Sequence, residues 1–249
     1  MRYTWAMEIS AGVVAAMPLH AITERYGEAG LRLRFAVEVD NLDTLSPADR
    51  AKLQDALSLA DQLHAGDRRT REPYLNHLLR SAIRVCTYYR IHDADVLAAT
   101  LLHDSVEDHA PELAGRPPGE ATDADRQAAL AALAARFGKR VAEMVAAVTN
   151  PLPEPGRDRL EQYRTHVAES LSRHPWARVI KASDFTDNGV GLIYTDHGSQ
   201  GRLATKYRPL VPVLRELIAR PDTPLDDDVK EHILDQLDLA ERRFAAILD

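Results

Sequence analysis

From Leu31 to Asp40 the chain reads LRLRFAVEVD, with Leu31, Leu33, Phe35, Val37 and Val39 alternating against Arg32, Arg34, Glu38 and Asp40. A period of two predicts a half-buried strand, paired with YTWAMEI near the start. From Ser46 onward the period lengthens. Ser46 followed by Pro47 is a helix start, with a capping hydroxyl and a proline at the first helical position. Leu53, Leu57, Ala60 and His64 carry that helix to Gly66. Apolar positions three and four apart predict further helices over 74–90, 94–108, 123–137, 139–148, 158–173, 176–187, 203–219 and 226–248. Gly138 marks a break, and the proline and glycine of 109–123 predict a loop. Val229, Ile233, Leu237 and Phe244 give the last helix an apolar stripe suited to core packing. The expected fold is an all-α bundle over 46–249, preceded by an N-terminal extension, 1–45, that contains strand.

Composition narrows the class. Of the 249 residues, 45% are hydrophobic and 28% charged, ordinary values for a globular chain with a sizeable core. A formal charge of −7 argues against a nucleic-acid partner while leaving room for a local basic pocket. Cys86 is the single cysteine, so no internal disulfide forms and a cytoplasmic setting is expected. Its neighbours SAIRVCTYY mark it as a small buried hydrophobe. Glu8 interrupts the apolar run near the N-terminus, and no long uncharged stretch predicts a membrane span.

The segment LLHDSVED, 101–108, is the departure from this pattern. Val96, Leu97, Thr100 and Leu101 face a core, and then His103, Asp104, Glu107 and Asp108 arrive together. On one continuous helix over 94–108, His103 and Glu107 form one column and Asp104 and Asp108 its neighbour. Glu107 and Asp108 then lie at the helix C-terminus, where carboxylates oppose the dipole. A divalent cation is the natural partner of such a cluster, because it offsets the cost of gathering carboxylates where water is scarce. One helix supplies too few ligands. His77 in EPYLNHLLRSA and Asp184 in ARVIKASDFTDN are the other candidates, and two imidazoles with two carboxylates suit a borderline-hard ion such as manganese.

The blocks HAGDRRTREPYLNH, AATLLHDSVED, FGKRVAEMVAAVTN and VIKASDFTDN resemble, in order, the hydrolase domain of RelA/SpoT-type proteins, a branch of the HD metal-dependent phosphohydrolase superfamily. The resemblance spans roughly residues 50–215. It implies an all-α HD-domain bundle, one manganese ion, and removal of the 3′-pyrophosphate from the guanosine alarmones of the stringent response, ppGpp and pppGpp. It also implies roles. His77, His103, Asp104 and Asp184 match the metal ligands, and Glu107 and Asp108 the pair that activates water. Arg69 falls in the basic turn that packs on the purine base, and Asn188 matches a substrate-contacting asparagine.

The chemistry agrees with those roles. A pyrophosphate ester needs a Lewis acid on a phosphoryl oxygen and a deprotonated water opposite the leaving oxygen. The turn RRTR, 68–71, offers guanidinium groups shaped for phosphate or a base face. Three departures stand out. Phe185 and Asp187 replace an arginine and a histidine of the family, which predicts an altered pocket wall. The segment after Asp108 is long and suggests a lid. Residues 1–45 match nothing in the resemblance. The stretch after Asp184 is too short for a synthetase domain, so a stand-alone alarmone hydrolase is expected. An adenosine alarmone or NADPH is the rival substrate, and a catalytically silent nucleotide-binding module the rival class.

Overall fold

A computed structural model describes residues 9–249. Among them the secondary structure is helical: α1 (Ala11–Ala16), α2 (Leu19–Asp40), α3 (Pro47–Leu63), α4 (Leu75–Ile83), α5 (Ala94–Leu101), α6 (Ser105–Leu113), α7 (Asp123–Phe137), α8 (Lys139–Val148), α9 (Arg159–Arg173), α10 (Pro175–Phe185), α11 (His197–Tyr207), α12 (Leu210–Ala219) and α13 (Asp227–Leu248). Wide π-helical turns extend α4 over Arg84–Tyr88 and α10 over Thr186–Val190.

The strand expected at 31–40 is instead the second half of α2. Most of its proposed partner, YTWAMEI, lies outside the described residues. Burial falls on Leu31, Arg34, Phe35 and Val39, a helical spacing that the alternating letters conceal. Arg34 is what breaks the alternation. Its guanidinium is buried and donates to the Val14 carbonyl at 2.7 Å and to that of Ala15, satisfying the last carbonyls of α1. Gly27, at φ 61°, kinks α2 midway, a conformation that costs a residue with a side chain about 1 kcal/mol or more.

Three helices are buried nearly all round. Every residue of α4 is buried, as are α5 apart from Asp95 and α10 from Ala177 onward. They pack on one another, with α2 against α4, α3 and α8 against α5, and α8, α9 and α12 against α10. The outer helices carry the amphipathic stripes read from the sequence, including Val229, Ile233, Leu237 and Phe244 of α13. Ser46 caps α3 with a reciprocal bond to Asp49, and Thr122 does the same for α7 with Asp125.

The single helix expected over 94–108 is two. α5 stops at Leu101, residues 102–104 turn, and α6 begins at Ser105 with Asp104 at its N-cap. Asp104, Glu107 and Asp108 therefore lie at the positive end of a new helix dipole, the favourable end for carboxylates. The columns pairing His103 with Glu107 and Asp104 with Asp108 do not form across that turn. α6 continues to Leu113 through Pro111, which shortens the expected loop from its N-terminal side.

Buried Arg178 closes the end of α9. It donates to the Leu171 carbonyl at 2.7 Å and the Ser172 carbonyl at 2.9 Å, and pairs with Asp222 at 2.7 Å. Arg178→Met should therefore lower unfolding stability by about 2–4 kcal/mol, because the fill is kept while buried carbonyls lose their donors. The shift of a urea-denaturation midpoint at unchanged slope measures it.

Candidate metal centre and adjoining cavity

The three buried helices and the α5–α6 turn bring four predicted residues to one point. His77 comes from α4, His103 and Asp104 from the turn, and Asp184 from α10. The donor atoms of His77, His103 and Asp104 lie within 4.8 Å of one another. His77 Nε2 is 3.3 Å from His103 Nε2, 3.5 Å from Asp104 Oδ2 and 3.4 Å from Asp184 Oδ1. His103 Nε2 is 3.1 Å from Asp104 Oδ2 and 3.7 Å from Asp184 Oδ1. Ligands bound about 2.1 Å from one ion sit about 3.0–3.5 Å apart, so the spacing suits a shared cation.

Each imidazole is tied from behind. His77 Nδ1 donates to Asp187 Oδ2 at 2.9 Å, and His103 Nδ1 to the Thr100 carbonyl at 2.8 Å. Those acceptors place the remaining ring proton on Nδ1 and turn both Nε2 atoms toward the centre. Two Nε2 lone pairs 3.3 Å apart beside two carboxylates repel unless a proton or a cation lies between them. The donor set fits a divalent metal.

Electrostatics says the same. Burial alone would lower His103, but the carboxylates of Asp104 and Asp184 hold it well above the usual imidazole range. Burial would raise Asp184, yet Lys181, 2.7 Å from Oδ2, and the two imidazoles hold it well below the carboxylate range. Asp104 is likewise held low against burial by His103. Burial and Asp104 keep the Tyr74 hydroxyl protonated far above its ordinary value, and it donates to Asp104 Oδ2 at 2.7 Å.

Glu107 and Asp108, in the first turn of α6, differ in setting. Glu107 is held by Asn150 through the backbone N–H at 3.1 Å and the side-chain amide at 2.8 Å. Asp108 is exposed on one side. The protein packed about it, with Asp104 and Glu107 beyond, pushes its carboxyl up to about 7. Arg69 and Asn188, 119 residues apart, touch directly, and Asn188 also donates to Asp184. Arg69 sits in a tight turn closed by its bond from N–H to the Glu72 carbonyl at 2.9 Å.

Beside this pair opens a cavity of about 1030 Å³. The turn 68–73 lines one side, Gly191–Thr195 with Arg202 another, and His20, Thr23, Glu24 and Glu28 of α2 a third. His20 stacks on Tyr194 with ring centroids 3.9 Å apart. Loop 114–122 does not line this cavity.

The expected change in pocket wall resolves into two different things. Phe185 is core, edge-on to Tyr207 and Phe244. Asp187 is fully buried at the cavity floor and binds Arg80 through both oxygens, at 2.8 Å each, as well as His77. Arg84 lies 3.3 Å away. Sequence reasoning missed Asp187 as the support of His77, together with Tyr74 and Asn150. A signal was present in part: Asp187 follows Asp184 by three in a segment that is buried throughout.

Two outcomes follow for a bound divalent ion. Asp187→Asn should weaken metal affinity about 10–100-fold, the usual effect of losing the outer partner of a ligating histidine, as read by isothermal titration. Metal loading should fall as pH drops, because the site's carboxylates favour the imidazolium forms and each ligating nitrogen must shed its proton. Equilibrium dialysis between pH 8 and 5.5 tests this, and pH-independent loading would contradict it.

No curated protein matches this chain. A solved structure is similar in fold: that of a metazoan ortholog of SpoT, described as hydrolysing ppGpp and playing a role in starvation responses. The match has a TM-score of 0.55 at 23% identity and covers 75% of this chain and 93% of that one. Residues 56–152 match the family model described as HD domain, and this segment contains His77, the His103–Asp104 pair, Glu107, Asp108 and Asn150.

Proposed function

We propose that this protein is a manganese-dependent hydrolase that removes the 3′-pyrophosphate of guanosine alarmones, ppGpp and pppGpp, giving GDP or GTP and pyrophosphate. The observation that carries the reading is the convergence of His77, His103, Asp104 and Asp184 beside Glu107 and Asp108, with the Arg69–Asn188 contact opening onto a nucleotide-sized cavity. The fold shared with the metazoan SpoT ortholog supports it.

His77, His103, Asp104 and Asp184 hold the ion, which supplies Lewis acidity toward a phosphoryl oxygen. Glu107, fixed by Asn150, accepts the proton of the attacking water, with Asp108 next to it at the open side. The water oxygen bonds to the phosphorus carried by the nucleoside 3′-oxygen, and the bond between that oxygen and phosphorus breaks. Pyrophosphate leaves as a unit and the 3′-oxygen takes up a proton. Arg69 and Asn188 hold the nucleoside end. Arg69 lines the cavity, with its guanidinium over the Tyr74 ring at 5.8 Å and its Nη1 3.6 Å from Asp187 Oδ2.

Purified manganese-loaded protein incubated with ppGpp should yield GDP and pyrophosphate with no triphosphate-level intermediate, as resolved by ion-exchange chromatography with phosphorus NMR. Stepwise release of orthophosphate would contradict the reading. Intact ppGpp alongside consumption of an adenosine alarmone or NADPH would retain the chemistry and refute the substrate. His103→Ala should abolish both bound ion and turnover. Glu107→Gln should retain the ion and lose about 10²–10⁴ in kcat, the typical value of a positioned base. Turnover of Glu107→Gln near wild type would remove Glu107 from the mechanism.

A further inference from the structure

A second cluster of metal-binding side chains lies outside this centre. His64 caps the C-terminus of α3, Asp67 follows in the turn, and His109 projects from α6. His64 Nδ1 and His109 Nε2 are each 2.7 Å from the same oxygen, Asp67 Oδ2. The three donor atoms lie within 4.8 Å of one another, and the imidazoles meet edge-on with centroids 4.5 Å apart. We propose that His64, Asp67 and His109 form a second divalent-cation site, of the type that takes zinc, separate from the His77–His103–Asp104–Asp184 centre.

The arrangement repeats the logic of the first site at His109, while His64 Nε2 is buried with no hydrogen-bond partner. The two 2.7 Å contacts to Asp67 Oδ2 are hydrogen-bond distances; they widen to about 3.0–3.5 Å when an ion takes the place of the proton. His109 Nδ1 donates to Glu112 Oε1 at 2.9 Å, as His77 Nδ1 does to Asp187. This outer carboxylate fixes the tautomer and turns Nε2 toward the cluster. His64 is buried and stacked on Tyr74 at 4.7 Å, so its ring plane is set before any ion arrives. Asp67 and Glu112 together carry two negative charges, which a dication balances. A proton shared between His64 and His109 leaves one of those charges uncompensated.

Two imidazoles and one carboxylate with an open side are a three-ligand set that zinc completes with water. The side chain of Asp67 is 37% exposed, so the remaining position faces solvent. No ligand is shared with the first centre. Tyr74 stands between them, stacked on His64 and donating to Asp104. An ion here fastens the end of α3 to α6, the helix that carries Glu107 and Asp108. The site requires none of the hydrolytic assignments above.

Metal-stripped protein dialysed against low-micromolar zinc chloride, with metal counted by inorganic mass spectrometry, tests the proposal. Wild type should hold two ions per chain, and His109→Ala or Asp67→Asn one. His103→Ala should also hold one, and His103→Ala combined with His109→Ala none. His109→Gln, with far-ultraviolet circular dichroism matched to wild type, separates ligand loss from misfolding and should also hold one. Crystals of the zinc-loaded protein should show an anomalous peak between His64, Asp67 and His109. A single ion in wild type that His103→Ala removes, or two ions retained by folded His109→Gln, would overturn the second site.

Discussion

The pairing of Asp187 with Arg80 is the interaction on which the centre depends. Both side chains are buried, at the floor of the cavity. An unpaired charge there would cost several kcal/mol, so each is bound to the other through two hydrogen bonds, with Glu72 sharing the guanidinium. Burial would raise Asp187, but Arg80 and His77 hold it far below the carboxylate range. It therefore stays an anion and accepts from His77 Nδ1. A pair whose net worth in stability is small thereby settles which nitrogen of His77 faces the centre.

The same economy of buried charge shapes the rest of the site. Lys181 neutralises Asp184 from the side away from the imidazoles, and its ammonium lies over the Tyr163 ring at 5.5 Å. Tyr74 donates to Asp104, and Asn150 to Glu107. Each carboxylate has a positive or proton-bearing neighbour that orients it. The turn at 102–104 completes this. It begins α6 at Ser105, so that a helix dipole supports Asp104, Glu107 and Asp108 where a continuous helix would oppose them.

The N-terminal helices are tied into the same structure. α2 packs on α4, and its His20, Thr23, Glu24 and Glu28 form one side of the cavity. Thr23 also lies 3.2 Å from Arg80, so the segment touches the buried charge network directly. Residues with no counterpart in the sequence resemblance thus help shape the space beside the candidate metal centre.

Much of this was legible in the chain itself. Three- and four-residue periodicity located most helices after Ser46, because an amphipathic stripe reports its own burial. The unusual density of His103, Asp104, Glu107 and Asp108, with His77 and Asp184 as distant partners, marks a candidate centre in the chain itself. The failures share one cause. Leu31–Asp40 alternates like a strand, but Arg34 finds carbonyl acceptors across the fold and can be buried, which no local pattern encodes. The break after Leu101 is decided by what Asp104 and His103 must reach, and the role of Asp187 by an arginine 107 positions away. Local spacing determines which residues share a face of their own element. Which buried charges meet, and hence which nitrogen of an imidazole points inward, is decided only when separate helices pack.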